Sequence, residues 1–429
     1  MLILIPLGGV GSRFSQNGYS VPKSLIKVMG KPIIYWLLDN LQIHATHTVF
    51  IPYNKTYVEY RFEDVLRKQY PHISFEFFCL KENTRGAAET ICQALCHYKK
   101  EISGKDQPVL CVDGDNFYTT DIISQWQGSN SVFTFIDQQE APIYSYVYTD
   151  PTDTDRIVNI VEKEKISNNA CTGAYGFASW HMLQRTCQTI LDKDIRQKGE
   201  FYTSTVIQEM LRNNVRFANK TVDSKNYVCL GTPIQVRLFC HNYPRYNSLN
   251  NACLIKPKRY CFDLDNTLVT FPTIPGDYTS VNPIKKNIEF LKYLKRFGHT
   301  IIIYTARRMK THHGNTGKLL KDIGKITFDT LDQFEIPYDE IYFGKPEADA
   351  YIDDLAINCF HDMEKELGYY ETMIKPRDFN TIRTETIQFC RKESANLEGE
   401  IYYYQNIPPC VKDMFPIMLD YDVGNRWYS

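Results

Sequence analysis

The 429-residue chain is predicted to be an α/β protein with two sheet-containing domains, each carrying helices on both faces of its sheet. Short apolar, β-branched runs alternate along the chain with helical patterns, which is typical of α/β folds. The length is comfortable for two or three domains. Two predicted strands, residues 1–6 and 259–262, lead directly into unusual turns, one of glycines and one of carboxylates.

The composition indicates a globular protein without a strongly charged partner. Hydrophobic residues make up 43% and charged residues 23%, and the formal net charge is -1. There is therefore no electrostatic reason to expect a nucleic acid or an anionic membrane as partner. No apolar run reaches transmembrane length, and the opening MLILIPLGGV lacks the basic segment of a signal peptide. We expect a cytoplasmic protein without membrane insertion.

The cysteines do not show the spacing of a metal site. There are 13 of them, scattered and without a C-x-x-C pair. Cys92 and Cys96 are four residues apart on a predicted helix, with no second pair nearby. Because the ligand spacing of a zinc site is missing, we expect free thiols in a reducing cytosol.

The first predicted strand leads into a glycine-rich turn. Gly8, Gly9 and Gly11 follow residues 1–6 directly, and a helical pattern comes next. Glycines let backbone N–H groups approach an anion without an intervening Cβ. Arg13 and Lys23 add the positive charge that a polyphosphate needs. For the glycines alone, a tight strand-to-helix turn is the favoured interpretation.

The longer pattern G-G-x-G-x-R-F, P-K-x-L and G-K-P, within residues 8–32, resembles the sugar-phosphate nucleotidyltransferase (pyrophosphorylase) family. The resemblance implies a Rossmann-like nucleotidyltransferase domain over residues 1–245. Residues 82–90, ENTRGAAET, resemble the family's second loop, in which Gly86 would approach the nucleobase. The nucleotide-binding residues that the resemblance implies are Leu7, Gly8, Gly9, Gly11, Ser12, Arg13, Lys23 and Gly86.

Further pieces of this family's pattern follow in order. Residues 109–118, VLCVDGDNFY, form an apolar strand ending in carboxylates, and Asp115 is implied to bind Mg²⁺ and substrate. The alternative is a simple Asp-Gly turn. The strings VEK at 161–163, TGAYGF at 172–177, EFY at 200–202 and LGTP at 230–233 also match. The acceptor-binding residues implied, besides Asp115, are Glu162, Lys163, Gly173 and Glu200.

The implied reaction is in-line transfer of a nucleotidyl group from a nucleoside triphosphate to a phosphorylated sugar, polyol or aminoalcohol, with release of pyrophosphate. Arg13 and Lys23 are the implied catalytic cations. One departure concerns the second metal ligand, because Cys229 stands where many members carry an aspartate. A thiol is a poor Mg²⁺ ligand. Asp223 is a substitute that the sequence leaves open, as it leaves open the nucleobase.

The second motif follows a polar linker that we place at residues 246–257. In the run YCFDLDNTL at 260–268, a predicted strand ends in Asp263 and Asp265. Residues i and i+2 of an extended segment lie on the same side, so both carboxylates can face one phosphate. This pattern suits a nucleophile and a neighbouring acid–base group.

The motif resembles the first motif of the haloacid dehalogenase (HAD) superfamily. Residues 258–375 are thereby implied to form a Rossmannoid, uncapped HAD domain. Asp263 is the implied nucleophile and Asp265 the acid–base group, while Thr305 and Lys345 would bind the phosphate. A predicted strand at 351–354 would end in the Mg²⁺-binding acidic pair. The implied metal ligands of this second site are Asp263, Asp265, Asp353 and Asp354.

The interval between the first two HAD motifs has room for one helix but not for a large cap domain. Basic residues follow the second motif, and a solvated loop is favoured for them over contact with an anionic substrate. These residues are Arg307, Arg308, Lys310, His312 and His313.

Residues 376–429 are rich in aromatic side chains and resemble the start of a choline or aminoglycoside kinase-like domain. A structural extension is the alternative, and a kinase-like domain continuing beyond Ser429 is a further expectation. Together the two resemblances imply a bifunctional, Mg²⁺-dependent enzyme of surface-glycan (capsule) precursor synthesis. One alternative is a phosphatase with an inactive nucleotidyltransferase fold used as a nucleotide sensor or assembly module. A phosphotransferase or nucleotidase role for the HAD domain and a homo-oligomeric state are left open.

Overall fold

A computed structural model of the chain describes residues 1–102, 104–138, 142–249 and 255–370, without the side chains of 101, 242 and 244–249. The described residues form two compact units. Unit 1 contains residues 1–26 and 31–249, and unit 2 contains Lys27–Gly30 and residues 255–370. The predicted kinase-like segment at 376–429 lies outside the described residues.

The strands of the amino-terminal half are mostly short. They are β1 (Leu2–Leu4), β2 (Lys27–Val28), β3 (Lys31–Pro32), β4 (Thr48–Asn54), β5 (Ser74–Leu80), β6 (Val109–Val112), β7 (Asn116–Tyr118), β8 (Ser131–Ile136), β9 (Ser145–Asp150), β10 (Asp153–Glu162), β11 (Asn169–Phe177), β12 (Phe217–Thr221) and β13 (Tyr227–Cys229). The helices are α1 (Ser12–Gln16), α2 (Ile33–Asn40), α3 (Phe62–Gln69), α4 (Ala87–His97), α5 (Ile122–Trp126), α6 (Trp180–Asp192), α7 (Thr203–Arg212) and α8 (Pro233–Leu249).

Unit 1 is built on a nine-stranded mixed sheet with the order β5-β4-β1-β6-β11-β8-β12-β10-β9. The first four of these strands are parallel, and β11 runs antiparallel to β6 and β8. Successive side chains of a strand point to opposite faces. Leu2 and Leu4 join a core cluster with α4, α6 and α7, whereas Ile3 and Ile5 are equally buried outside that cluster. Both faces of the central strands are therefore covered, as the continuous apolar run at 1–6 predicts.

Trp126 on α5 occupies the space that a side chain at Gly176 of β11 would need. A Cβ on Gly176 would overlap the Trp126 Nε1 atom and lie 2.6 Å from Cδ1. We expect Gly176→Ala to lower the free energy of unfolding by about 2 kcal/mol because neither the strand nor the buried indole can move freely. The loss corresponds to about 6 °C in Tm of unit 1, measurable by calorimetry. Gly104→Ala is the matched control, since no atom lies within 4 Å of its Cβ position. Equal melting of both variants would contradict the packing argument.

The predicted linker at 246–257 begins inside a helix. Helix α8 continues to Leu249, because the asparagines that suggest a linker lower helix stability by only a fraction of a kcal/mol each. The described cysteines are free thiols, as predicted. Within the described residues, no helix is long and apolar enough to cross a membrane.

Unit 2 contains a three-stranded parallel sheet of the strands β14 (Arg259–Phe262), β15 (Thr300–Thr305) and β16 (Glu340–Phe343), in that order. Helix α9 (Lys285–Arg296) connects β14 to β15, and α10 (Thr316–Gln333) connects β15 to β16. A short helix α11 (Met363–Leu367) follows. Parallel strands need such crossover connections, and their carboxyl ends meet at one edge of the sheet. In the described residues between β14 and β15, only a 3-10 turn (Tyr278–Ser280) and α9 are regular.

Candidate active sites

Unit 1 has a cavity of about 330 Å³ beside the carboxyl end of β6 and the glycine-containing part of β11. Several predicted site residues line it. These are Arg13, Asp115, Glu162, Lys163, Gly173 and Glu200. Hydroxyl-bearing side chains from the matched strings also line the cavity, among them Tyr175, Tyr202 and Thr232. Further hydroxyl-bearing residues there were not singled out by sequence reasoning: Tyr144, Ser145, Thr203, Ser204 and Tyr227. The predicted acceptor-binding residues therefore come together around one cavity.

Asp113 and Asp115 follow β6 at the edge of this cavity, and the Lys23 ammonium donates to Asp115 Oδ2. Burial raises the pKa of Asp113 to about 8, and the charge of Asp115 acts in the same direction. Lys23 opposes that rise. The carboxyl groups of Asp113 and Asp115 thus share one nearby positive charge, that of Lys23. A bound cation would stabilise both carboxyl groups in their ionised form.

Glu162 and Lys163 lie at the end of β10 on the cavity wall. Glu162 is buried, and its Oε2 atom accepts hydrogen bonds from Ser145 and from Ser204, the latter at 2.8 Å. Burial raises the pKa of Glu162, while the two hydroxyl donors lower it. Lys163 donates to the Tyr202 hydroxyl at 3.0 Å. The two serines are the functional neighbours that sequence reasoning missed, because they come from other elements of the fold.

The glycines serve different purposes from one position to the next. A Cβ on Gly8 would overlap Thr90 Oγ1, and one on Gly86 would lie 2.5 Å from the Phe201 carbonyl oxygen. These two glycines therefore make room for protein atoms. At Gly9 no atom lies within 4 Å of the Cβ position, so its backbone is open to a ligand. The sequence predicts glycines here so that the backbone can approach a phosphate or a nucleobase. The surroundings of Gly9 fit that explanation better than those of Gly8 or Gly86.

Gly11 is the residue before α1, and its φ is +66°. This left-handed conformation places Ser12 at the start of the helix. Leu7 forms an isolated bridge with Tyr53, which fixes the strand end before the glycines. Neither Leu7 nor Ser12 lines the cavity. Their predicted contact with a nucleotide remains a prediction.

Cys229 lies next to Asp115, at the position where many members of the resembled family carry a second metal-binding aspartate. Strand β13 pairs with β7, the Leu230 amide donates to the Asp115 carbonyl at 2.7 Å, and a Cβ on Gly231 would contact both Asp115 Oδ2 and Cys229 Sγ. Burial, followed by the charge of Asp115, raises the pKa of the Cys229 thiol to about 12. The protonated thiol is unsuited to Mg²⁺.

Asp223 does not replace the missing ligand. It accepts from the Lys225 amide at 3.1 Å, forms an ion pair with the Lys225 ammonium at 3.0 Å, and lies outside the cavity lining. Among the described residues, no group of three or more His, Cys, Asp or Glu side chains could hold a metal ion. Asp115 nevertheless fits Mg²⁺, which commonly takes one or two protein carboxylates and completes its shell with phosphate oxygens and water.

The second candidate site lies at the carboxyl ends of the three strands of unit 2. Asp263 follows β14, Thr305 ends β15, and Lys345 follows β16. The Lys345 ammonium is 3.1 Å from Asp263 Oδ2, and the Lys345 amide donates to the Thr305 carbonyl at 3.1 Å. The Asp263 carboxylate and the Lys345 ammonium are thus brought together, and Thr305 is joined to Lys345 through its backbone carbonyl. The catalytic roles of these three residues remain predictions.

Asp265 is engaged by Arg307. Both carboxylate oxygens of Asp265 accept hydrogen bonds from the guanidinium at 2.9–3.0 Å. Burial raises the pKa of Asp265, and Arg307 acts in the opposite direction. Both carboxylate oxygens of Asp265 are thus already held by Arg307, and its predicted acid–base and metal-ligand roles remain predictions.

The predicted strand at 351–354 is wrong. This segment has no regular secondary structure, and the side chain of Ile352 is 99% exposed. Tyr351 and Ile352 are two apolar residues among acidic ones, too few to bury a further strand against the sheet. Asp353 accepts from a backbone amide two residues later. Asp353 and Asp354 therefore lie in an exposed loop, away from a formed metal site.

The solvated-loop prediction for the basic residues after β15 is wrong for Arg307, whose side chain is 0% exposed. The neighbouring basic side chains are partly or largely exposed. Arg308 and His312 form ion pairs with Asp322, and Lys310 forms one with Glu347. Arg307 lies in a turn two residues after the end of β15, beyond the strand to which the i, i+2 rule applies. No local signal therefore distinguishes it from the exposed basic residues that follow.

Unit 1 thus defines an α/β protein with an anion- and metal-compatible cavity at the carboxyl ends of its strands. A family model described as nucleotidyl transferase matches residues 2–223. Because this match spans more than half of the 429 residues, the chain belongs to the nucleotidyl transferase family. The predicted nucleotidyltransferase fold of the amino-terminal half is confirmed.

The chain is similar to several solved structures, and the first of those described below, with a TM-score above 0.5, shows the same fold. The nucleoside-diphosphate-sugar pyrophosphorylase of Vibrio cholerae RC9 is 18% identical, with 56% of this chain and 99% of that chain covered and a TM-score of 0.51. The inositol-1-phosphate CTP transferase of T. maritima is 11% identical, with 55% and 90% covered and a TM-score of 0.42. A UDP-glucose pyrophosphorylase complexed with UDP-glucose is 16% identical, with 57% and 98% covered and a TM-score of 0.45. No curated protein matches the chain.

Proposed function

We propose that residues 1–245 form a Mg²⁺-dependent nucleotidyltransferase of the sugar-phosphate pyrophosphorylase type. It would transfer a nucleotidyl group from a nucleoside triphosphate to a phosphorylated sugar, polyol or aminoalcohol and release pyrophosphate. The observation that carries this proposal is the Lys23–Asp115 ion pair at the edge of a cavity that Arg13, Glu162 and Lys163 also line. A cation, a hard carboxylate and two further positive charges are the groups that such a transfer needs.

In the proposed reaction, an oxygen of the acceptor phosphate attacks the α-phosphorus, and the bond from that phosphorus to the leaving pyrophosphate breaks. Lys163 would hold the acceptor phosphate, and Arg13 and Lys23 would stabilise the charge that moves to the pyrophosphate. Mg²⁺ held by Asp115 and phosphate oxygens would add positive charge to the triphosphate. Glu162, held by Ser145 and Ser204, would orient the acceptor.

We propose a second activity for unit 2, an HAD-type phosphatase. Asp263 would attack a phosphomonoester and form an aspartyl-phosphate, with Lys345 and Thr305 stabilising the phosphate oxygens. The Lys345–Asp263 distance of 3.1 Å is the observation that favours it. Without a large insertion between β14 and β15, the site would admit a bulky phosphorylated substrate. The two activities together suit the synthesis of a surface-glycan precursor. The alternative is that unit 1 is an inactive nucleotidyltransferase fold used as a nucleotide sensor or assembly module.

The test of unit 1 is pyrophosphate release with Mg²⁺, measured with CTP, UTP, GTP and dTTP against a panel of sugar, polyol and aminoalcohol phosphates. Release that depends on both one nucleotide and one acceptor would support the transferase. Nucleotide binding by calorimetry without release would favour the sensor. Phosphate release from the same panel, without nucleotide, tests unit 2.

Cys229 gives the metal proposal a direct test. Cys229→Asp places a second carboxylate beside Asp115, so we expect the Mg²⁺ concentration for half-maximal activity to fall about tenfold, as carboxylate count strengthens binding of hard cations. Cys229→Ser is the matched control and should leave this concentration nearly unchanged. The measurement is a Mg²⁺ titration of pyrophosphate release. An unchanged requirement in Cys229→Asp would place the metal elsewhere.

A further inference from the structure

Arg307 is the most fully enclosed charged side chain of the unit 2 site. Its Nε atom donates to both carboxylate oxygens of Asp265, at 3.0 and 2.9 Å, and its Nη2 atom donates to Oδ1 at 2.9 Å. Its Nη1 atom donates to Thr327 Oγ1 of α10 at 3.3 Å. The guanidinium carbon lies 4.9 Å from the centre of the Tyr278 ring. The arginine therefore connects the turn after β15 with α10 and with two points of the β14–α9 connection, Asp265 and Tyr278.

The burial of this ion pair argues for a role besides stability. Transferring an arginine and a carboxylate out of water costs several kcal/mol per ion, and an apolar pair of similar volume is often equally stable. The fork geometry does, however, restrict a carboxylate to one orientation. Arg259 and Glu340 form a comparable fork at 2.7 and 2.8 Å on the exposed surface, where it orients nothing in the site.

Arg307 is poorly placed to bind the phosphate itself. Its side chain is 0% exposed, and its Nε, Nη1 and Nη2 atoms already donate to Asp265 and Thr327. The ammonium next to the nucleophile is that of Lys345, 3.1 Å from Asp263. Any effect of Arg307 on turnover should therefore pass through Asp265.

We propose that Arg307 is a positioning residue of unit 2, which holds the Asp265 carboxylate in the orientation needed for both halves of phosphate transfer. The inference rests on the proposed phosphatase function. In the first half, Asp263 bonds to phosphorus, the ester P–O bond breaks, and the leaving oxygen receives a proton from Asp265. In the second, a water oxygen bonds to phosphorus, the Asp263–phosphate bond breaks, and Asp265 takes a proton from that water. The same carboxylate must therefore face first the leaving oxygen and then the water.

The test is a double-mutant cycle on the full chain, with kcat and KM measured on p-nitrophenyl phosphate. Arg307→Lys keeps the charge but loses the fork, and we expect kcat to fall about 100-fold with KM nearly constant, since misplacing a catalytic group costs about this much. Asp265→Asn should lower kcat by about 10³-fold. In the double variant we expect no further loss beyond Asp265→Asn, because the two residues act as one unit. Arg259→Lys is the matched control and should retain wild-type kcat.

Multiplicative losses in the double variant, or a raised KM with unchanged kcat in Arg307→Lys, would overturn the positioning role and indicate a separate contact with phosphate. If Arg307→Lys does not fold, Thr327→Val removes the Nη1 partner together with the hydrogen bond from the Thr327 hydroxyl to the Ile323 carbonyl, and we expect kcat to fall about tenfold with KM unchanged. Wild-type kcat in Thr327→Val would then contradict the proposal. Absence of phosphomonoester turnover by the wild-type chain would overturn the phosphatase function itself. That result differs from multiplicative losses in the double variant, which would overturn only the positioning role.

Discussion

Asp115→Asn is expected to lower pyrophosphate release by about 10³-fold. The substitution keeps the side-chain volume but removes the negative charge that Lys23 contacts and that Mg²⁺ would need. Loss of one preorganised electrostatic contact at a reacting phosphate typically costs about 10² to 10³ in rate. The measurement is the initial rate of pyrophosphate release at saturating Mg²⁺ with the nucleotide and acceptor found by the panel.

Asp223→Asn is the matched control for this prediction. Asp223 is the substitute metal ligand that the sequence leaves open, but it pairs with Lys225 outside the cavity. Its variant should retain wild-type pyrophosphate release. A large loss in Asp223→Asn together with little loss in Asp115→Asn would show that the metal site is assembled from different residues.

Asp263→Asn is expected to lower phosphate release by at least about 10⁴-fold, because an amide cannot replace a carboxylate as nucleophile. The wild-type chain should also accumulate an acid-stable, hydroxylamine-sensitive phosphoenzyme, and Asp263→Asn should not. Pyrophosphate release by unit 1 should be unchanged in this variant. Retention of phosphate release in Asp263→Asn would rule out the aspartyl-phosphate route.

The parts of the fold that could be predicted are those encoded by short contiguous runs. The apolar run at 1–6 and the strand before Asp113 are buried on both faces, so their composition alone marks them as central strands. The candidate site residue Asp115 comes after such a strand and could be placed for the same reason. Asp263 follows β14, in which only Phe262 is buried, so its placement depended on the D-x-D motif instead. Parallel strands bring their carboxyl ends together whatever the intervening sequence.

The parts that could not be predicted depend on contacts between distant segments. Ser145 and Ser204 approach Glu162 from 17 and 42 residues away, and no local pattern records this. Arg307 reaches Asp265 across 42 residues, so its burial could not be told from that of the exposed basic residues beside it. The strand predicted at 351–354 is an error of the opposite kind, in which a local pattern predicts an element that does not form. The short motif matches the pattern of a strand, but it has too little apolar surface to be buried as one.

The most direct test of the account is a crossover of the two aspartate variants on the full chain. Pyrophosphate release and phosphate release are both measured for wild type, Asp115→Asn and Asp263→Asn. If each unit carries one of the two activities, we expect Asp115→Asn to lose only pyrophosphate release and Asp263→Asn to lose only phosphate release. Pyrophosphate release that survives in Asp115→Asn, or that is absent from the wild-type chain across all four nucleotides and the full acceptor panel, would contradict the assignment of unit 1 as an active nucleotidyltransferase.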